Sequence, residues 1–134
     1  GRPSAMAFAV LQWPATQILV VRAEGSGSIN ESSEVLAALE RQRLVPQFVA
    51  VLFDLRLLDY LPTPDEARDI AARYGVFGAR HRCRMAYVAT PGAQYGITRM
   101  VEMLSQQHGV AAATFTSFDL ALQWVGEAVR DVGA

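Results

Sequence analysis

The stretch FDLRLLDYLPTPDEAR, residues Phe53–Arg68, decides the fold. Together with the residues before it, Val49 to Leu55 is nearly all apolar, the pattern of a strand covered on both faces. Arg56 to Pro62 then reads as a loop leading out. Thr63 is a good helix N-cap, Pro64 suits the first helical position, and Glu66 completes a capping box. Ala67, Ile70, Ala71 and Tyr74 recur on one face of the helix that follows, and Gly75 reads as its stop. A buried strand thus delivers a carboxylate, Asp54, and a guanidinium, Arg56, beside a helix start. That is where α/β proteins gather ligand and partner contacts.

Upstream, Ala7 to Gln12 and Gln17 to Glu24 read as two strands of a hairpin joined through Trp13-Pro14-Ala15-Thr16. Gly25-Ser26-Gly27-Ser28 breaks the second strand. Val35, Leu36 and Leu39 then share a face of a helix from about Asn30 to Gln42, and Pro46 ends that connection. Downstream, the basic segment Arg80-His81-Arg82 precedes a strand from Cys83 to Ala89. Thr90-Pro91 repeats the cap-and-proline signal and opens a third helix, with Ile97, Met100, Val101 and Leu104 inward and Gly109 as the stop. Val110 to Phe115 is the last strand. Thr116-Ser117-Phe118-Asp119 caps a final helix whose Phe118, Ala121, Leu122, Val125 and Val129 share one face.

The order is β-β-α-β-α-β-α-β-α. Strands alternating with helices favour right-handed crossovers, so the expected fold is a single α/β domain with a mostly parallel five-stranded sheet edged by an antiparallel N-terminal hairpin. Residues 7–132 form the domain. Residues 1–6 read as an expression remnant or disordered tail outside the domain; with Met6 as a native start, the remnant is residues 1–5.

The 134 residues are 51% hydrophobic and 19% charged, enough apolar material for a real core. Twelve basic and 13 acidic residues leave a formal charge of −1, which offers no bulk attraction for nucleic acid or an anionic membrane. All of the basic residues are Arg. The single Cys83 excludes an intramolecular disulfide and fits a reducing, cytoplasmic setting. His81 and His108 do not make a metal-ligand cluster with it, so no metal and no cofactor are expected. No apolar run approaches the roughly 20 residues needed to span a bilayer. There is no H-E-x-x-H, no G-x-x-x-x-G-K and no Ser-His-Asp order, so hydrolysis and phosphoryl transfer find no motif.

Taken together, the element order from Gln17 to Val129, FDLRLLDYLPTPDEAR after the third strand, TPGAQYGITRM at the third helix and SFDLALQWV in the last resemble the STAS superfamily. The closer likeness is to its bacterial SpoIIAA-like branch, a group also compared with the CRAL-TRIO lipid-binding fold. The resemblance implies a binding or regulatory module rather than an enzyme. In the anti-sigma-factor antagonists of that superfamily an Asp-Ser pair at the start of the second helix carries a regulated phosphoserine. Here that turn reads Leu61-Pro62-Thr63-Pro64, and Thr63 is the nearest hydroxyl.

Each candidate residue has a plain structural explanation beside the functional one. Thr63 is a weak phosphoacceptor candidate, but the capping box accounts for it fully. Thr90 caps the third helix in the same way. A carboxylate at the end of an apolar strand needs a partner, which for Asp54 is Arg56 or Arg99. Tyr95 and Arg99, four apart on the third helix, point to one side. Either Arg56 and Arg99 form an anion clamp with the helix N-termini, or an Asp54–Arg99 ion pair ties helix to sheet. Cys83 points away from Arg82 and Arg84, so it reads as an inert buried thiol, and the Arg80–Arg84 cluster as a solvated strand edge. His108, just before Gly109, suits the helix C-terminus. Met100, Met103, Tyr95 and Phe77 would line any pocket for an acyl chain. Trp124 and Leu120 lie on a second stripe of the last helix, marking broad burial or a partner surface.

The reading that results is a non-enzymatic, homodimeric STAS-like module. It acts on a protein partner or a small ligand, apolar or anionic, through Asp54, Arg56, Thr63, Tyr95 and Arg99. The alternative is a carrier of a small apolar or acyl ligand. Third comes an enzyme using Asp54 as base or Cys83 as nucleophile.

Overall fold

A computed structural model describes residues 7–12, 17–41 and 49–133. The strands are β1 (Ala7–Gln12), β2 (Ile18–Ser26), β3 (Ala50–Asp59), β4 (Arg84–Val88) and β5 (Ala112–Phe115). The helices are α1 (Ile29–Arg41), α2 (Pro64–His81), α3 (Ala93–Ser105) and α4 (Phe118–Gly133), with a 3-10 turn at Gln106–His108. The expected turn at Trp13–Thr16, Pro46 and the first six residues lie outside the described residues, as does the side chain of Val129.

The five strands lie in the sheet in chain order. β1 is antiparallel to β2, and every later pair is parallel. This order has a consequence for the helices. When parallel strands are added in one direction by right-handed crossovers, every crossover falls on the same face. Accordingly α1, α2 and α3 cover one face, where Leu19, Val21, Val51, Phe53, Met85 and Tyr87 meet Val35, Leu39, Ile70 and Val101. α4 follows the last strand without a crossover to make and packs under the other face, its Ala121 and Val125 against Val20, Leu52, Ala86 and Val88. The alternation along β2, β3 and β4 between these two clusters is the period of two of a strand buried on both sides.

Of the element boundaries that differ from the sequence reading, three bear on the site. β3 does not give way to a loop at Arg56. It continues to Asp59 because β2 also runs on, Glu24, Gly25 and Ser26 pairing with Leu57, Leu58 and Asp59 past a register shift. Gly25 has φ 83°, a conformation that a side chain would resist. α2 does not stop at Gly75 but reaches His81, and Arg82 closes it in the left-handed conformation (φ 55°). Gly75 and Gly78 instead let the helix backbone approach its neighbours. A Cβ at Gly75 would stand 2.9 Å from the Ser105 carbonyl oxygen, and one at Gly78 would stand 2.3 Å from Val110 Cγ2. The third difference is at α3, which begins at Ala93 after Gly92 (φ 102°) rather than at a Thr90 cap.

Other expectations agree with the structure. Ala67, Ile70, Ala71 and Tyr74 are the buried face of α2, and Gly109 (φ 89°) ends the turn after α3. Ser117 Oγ accepts from the Leu120 N–H at the start of α4.

Candidate functional site

The C-terminal end of the sheet is where the sequence reading placed the site, and the structure divides it into two sides. Asp54 lies in strand register with Leu52 and so faces α4. Arg56, two residues on, faces the same way. Its Nε and Nη2 each donate to one carboxylate oxygen of Asp54 at 2.9 Å, and its backbone N–H adds a bond of 3.3 Å to Oδ1. Arg22 pairs with Asp54 across the strands, and the Phe118 ring lies 5.9 Å from the Arg22 guanidinium and 5.8 Å from that of Arg56. Burial pushes the Asp54 carboxyl up, but the bonds from Arg56, with help from Arg22, outweigh it and hold the carboxyl below its ordinary value. Arg56 is raised in turn, chiefly by its bond to Asp54.

Arg99 is on the far side of the sheet. It sits on α3 and bridges to Glu102 one turn on, so it forms neither a pair with Asp54 nor a clamp with Arg56. Tyr95, half-buried on the same helix, goes with it. Of the five proposed contact residues, Asp54 and Arg56 are joined to each other, while Tyr95 and Arg99 lie apart from them. Of the two partners expected for Asp54, Arg56 is therefore the one it takes, for a simple reason. An i to i+2 pair along one strand is as good a partner as a distant helix, and its planar fork matches a carboxylate.

Thr63 stands as expected. It has φ −68° and ψ 163°, its Oγ1 accepts from the Glu66 N–H at 3.2 Å, and its own N–H donates to Glu66 Oε1 at 3.0 Å. A phosphate there would face the carboxylate that closes the box, which favours the cap role. Thr90 is different. Its N–H and hydroxyl both donate to Gln94 Oε1, at 2.7 and 3.0 Å. The Gln94 amide nitrogen in turn donates to the carbonyls of Leu55 and Leu58, at 2.8 and 3.3 Å. Gln94 therefore ties the start of α3 to the overhanging end of β3. It lies inside TPGAQYGITRM, yet the sequence reading passed over it, because its acceptors are backbone carbonyls 36 and 39 residues away.

Between α1, α3 and the other face of the sheet lies a recess of about 100 Å³. Val21, Phe53, Leu55, Tyr74, Tyr87 and Ile97 form its walls, with Leu58, Tyr60 and Pro62 closing one side. The methionine pocket expected from the sequence is not this one. Met103 is 57% exposed, Met100 packs against the core, and neither they nor Tyr95 nor Phe77 lines the recess. At about 24 cal/mol per Å³, space of this size in a closed core would cost about 2.4 kcal/mol. Burial pushes the Tyr60 hydroxyl up to about 12, with the nearby Glu66 carboxylate adding to it, and raises Tyr74 and Tyr87 as well.

Cys83 is buried, and burial raises its thiol to about 12, so it is not a thiolate at neutral pH. The basic cluster around it is not a strand edge, since β4 lies between β3 and β5. Arg80 and His81 end α2, each 3.8 Å from Glu40 Oε1. Arg84 lies over the Trp124 ring at 5.1 Å, and that ring packs on Phe115, so Trp124 is engaged within the chain. Leu120 is exposed. His108 packs against the backbone of α2 at Gly75. Among the described residues no group of three or more His, Cys, Asp or Glu side chains could hold a metal ion, and no helix is long and apolar enough to cross a membrane.

No protein-family model matches the sequence, and no curated protein matches it. Solved structures do. An uncharacterised protein of the DUF3478 family from Shewanella loihica PV-4, described as having a SpoIIAA-like fold, is similar with a TM-score of 0.60 at 20% identity, over 93% of this chain and 99% of that one. An anti-sigma factor antagonist from Mycobacterium paratuberculosis has a TM-score of 0.60 at 18% identity, over 92% of this chain and 97% of that one. The likeness covers nearly all of each protein, and with one antiparallel pair, three parallel pairs and helices on both faces of the sheet, the chain has the SpoIIAA-like fold.

Proposed function

We propose that the chain, with residues 7–132 as one domain, is a non-enzymatic regulatory module that binds a protein partner through the segment between β3 and α2. One observation carries this reading. Leu57 and Leu61 are 73% and 55% exposed on a segment anchored at one end by the β2–β3 pairing and at the other by the α2 capping box. Large apolar side chains presented on a fixed frame are what a partner surface uses, rimmed here by the polar Asp59 and Thr63 and by the Asp54–Arg56 pair. The fold, shared with an anti-sigma factor antagonist, supports a protein as the partner. The buried Cys83 thiol and the bridged Asp54 carboxylate speak for binding rather than catalysis. A homodimer and a cytoplasmic location belong to the same proposal. Tyr95 and Arg99 would form a separate contact on α3.

The test is a quantitative pull-down from the host lysate with the wild type and with Leu57→Asp/Leu61→Asp, both checked for native circular dichroism. The reading expects a protein retained by the wild type and lost at least tenfold by the variant. Equal retention by both would remove the segment as the contact. Light scattering on the same samples reads the oligomeric state.

A further inference from the structure

We propose that the recess between α1, α3 and the sheet binds a small molecule by an uncharged apolar group about the size of a benzene ring. None of its lining residues is charged. Its polar groups are largely committed to the protein already. The Tyr74 hydroxyl donates to the Ser32 carbonyl at 2.8 Å, Ser32 Oγ to the Ile29 carbonyl at 2.6 Å, and the Thr98 hydroxyl to the Gln94 carbonyl at 2.7 Å. The Gln94 amide is held by Leu55, Leu58 and Thr90. Apart from the buried Tyr60 hydroxyl, which has no hydrogen-bond partner among the described residues, a ligand gains little from hydrogen bonding inside, and an ion would find no counter-charge. What remains is burial of apolar surface against Val21, Val35, Phe53, Leu55, Ile97 and Val101.

Size narrows the class. An engineered apolar cavity of about 150 Å³ in another protein stays dry and admits benzene. The recess here offers about 100 Å³ and is open on one side, so an aryl ring or short alkyl group fits while a polar remainder stays in solvent at the mouth. Leu58, Tyr60 and Pro62 face inward, so the occupant lies against the inner side of the segment whose Leu57 and Leu61 face out. The inference does not depend on a protein partner binding there.

The experiment uses the whole chain with labelled methyl groups, titrated with benzene and separately with 1-pentanol. Saturable shifts are expected for Val21, Val35, Leu55, Ile97 and Val101, with dissociation constants in the millimolar range, while Val20, Leu52 and Val125 on the α4 face stay still. Saturation by benzene alone marks the group as aryl, and by 1-pentanol alone as alkyl. Leu58→Trp sets an indole at the rim and should weaken binding at least tenfold, whereas Val76→Trp, exposed on α2, should bind as wild type. Should Leu58→Trp not fold, the wild-type pattern decides alone. Shifts that grow linearly with both probes, or that fall equally on both faces of the sheet, would overturn the proposal.

Discussion

Replacing Gly78 by Ala sets helix propensity against packing, and the geometry says which wins. Alanine is favoured over glycine inside a helix by about 1 kcal/mol, so from the sequence alone Gly78→Ala should stabilise α2. In the fold the new methyl would stand 2.3 Å from Val110 Cγ2, 3.1 Å from Val110 Cβ and 3.0 Å from Met85 Sδ. Val110 is β-branched and buried, and Met85 is fully buried, so neither side chain can swing into solvent. Overpacking of this kind costs up to about 3 kcal/mol, which leaves a net loss of about 2 kcal/mol after the helix gain. For a domain of 134 residues that is a fall in Tm of about 8 °C. Urea unfolding followed by circular dichroism would measure it. Val110→Ala removes the clashing methyl groups, so Gly78→Ala/Val110→Ala should lose up to about 3 kcal/mol less than the sum of the single variants. A Gly78→Ala protein as stable as wild type, or a double variant that is simply additive, would refute the close approach of α2 to Val110.

Gln94→Ala should cost about 2 kcal/mol in the same assay, because it strands two half-buried carbonyls on β3 and the Thr90 N–H, whereas an exposed glutamine would cost almost nothing. Thr63→Ala should lose about 1 kcal/mol and Thr63→Asp much less, since aspartate can serve as the same N-cap. The Asp54 carboxyl is held below its unfolded value of 3.8, so its contribution is complete above that pH and is lost as pH falls through the lower folded value. Asp54→Asn should therefore flatten the acid limb of the stability profile below about pH 4, and an unchanged limb would show that the Arg56 bridge is not formed in solution. Cys83 should resist a thiol reagent at pH 8 in the native state and react at once in denaturant, and rapid native labelling would contradict its burial.

What could be read without a structure was local or periodic. The α2 start was legible because Thr63, Pro64 and Glu66 satisfy one another within a single turn. The doubly buried β3 showed as an apolar run, and the strand and helix order led to the STAS resemblance and the mostly parallel sheet that the structure bears out. Tertiary structure decided whatever needed a partner distant in sequence. β3 passes Arg56 because Gly25 and Ser26 of β2 are there to pair with it. Gly75 lies inside a helix because the carbonyl of Ser105 comes too close for a side chain. Gln94 matters because the ends of β3 and α3 meet, and Arg99 misses Asp54 because the sheet stands between them. The recess, too, was invisible as a motif, since its walls come from β2, β3, β4 and three helices and exist only where those elements converge. Capping and periodicity are properties of neighbouring residues, whereas a cavity or a close approach depends on which surfaces the fold brings face to face.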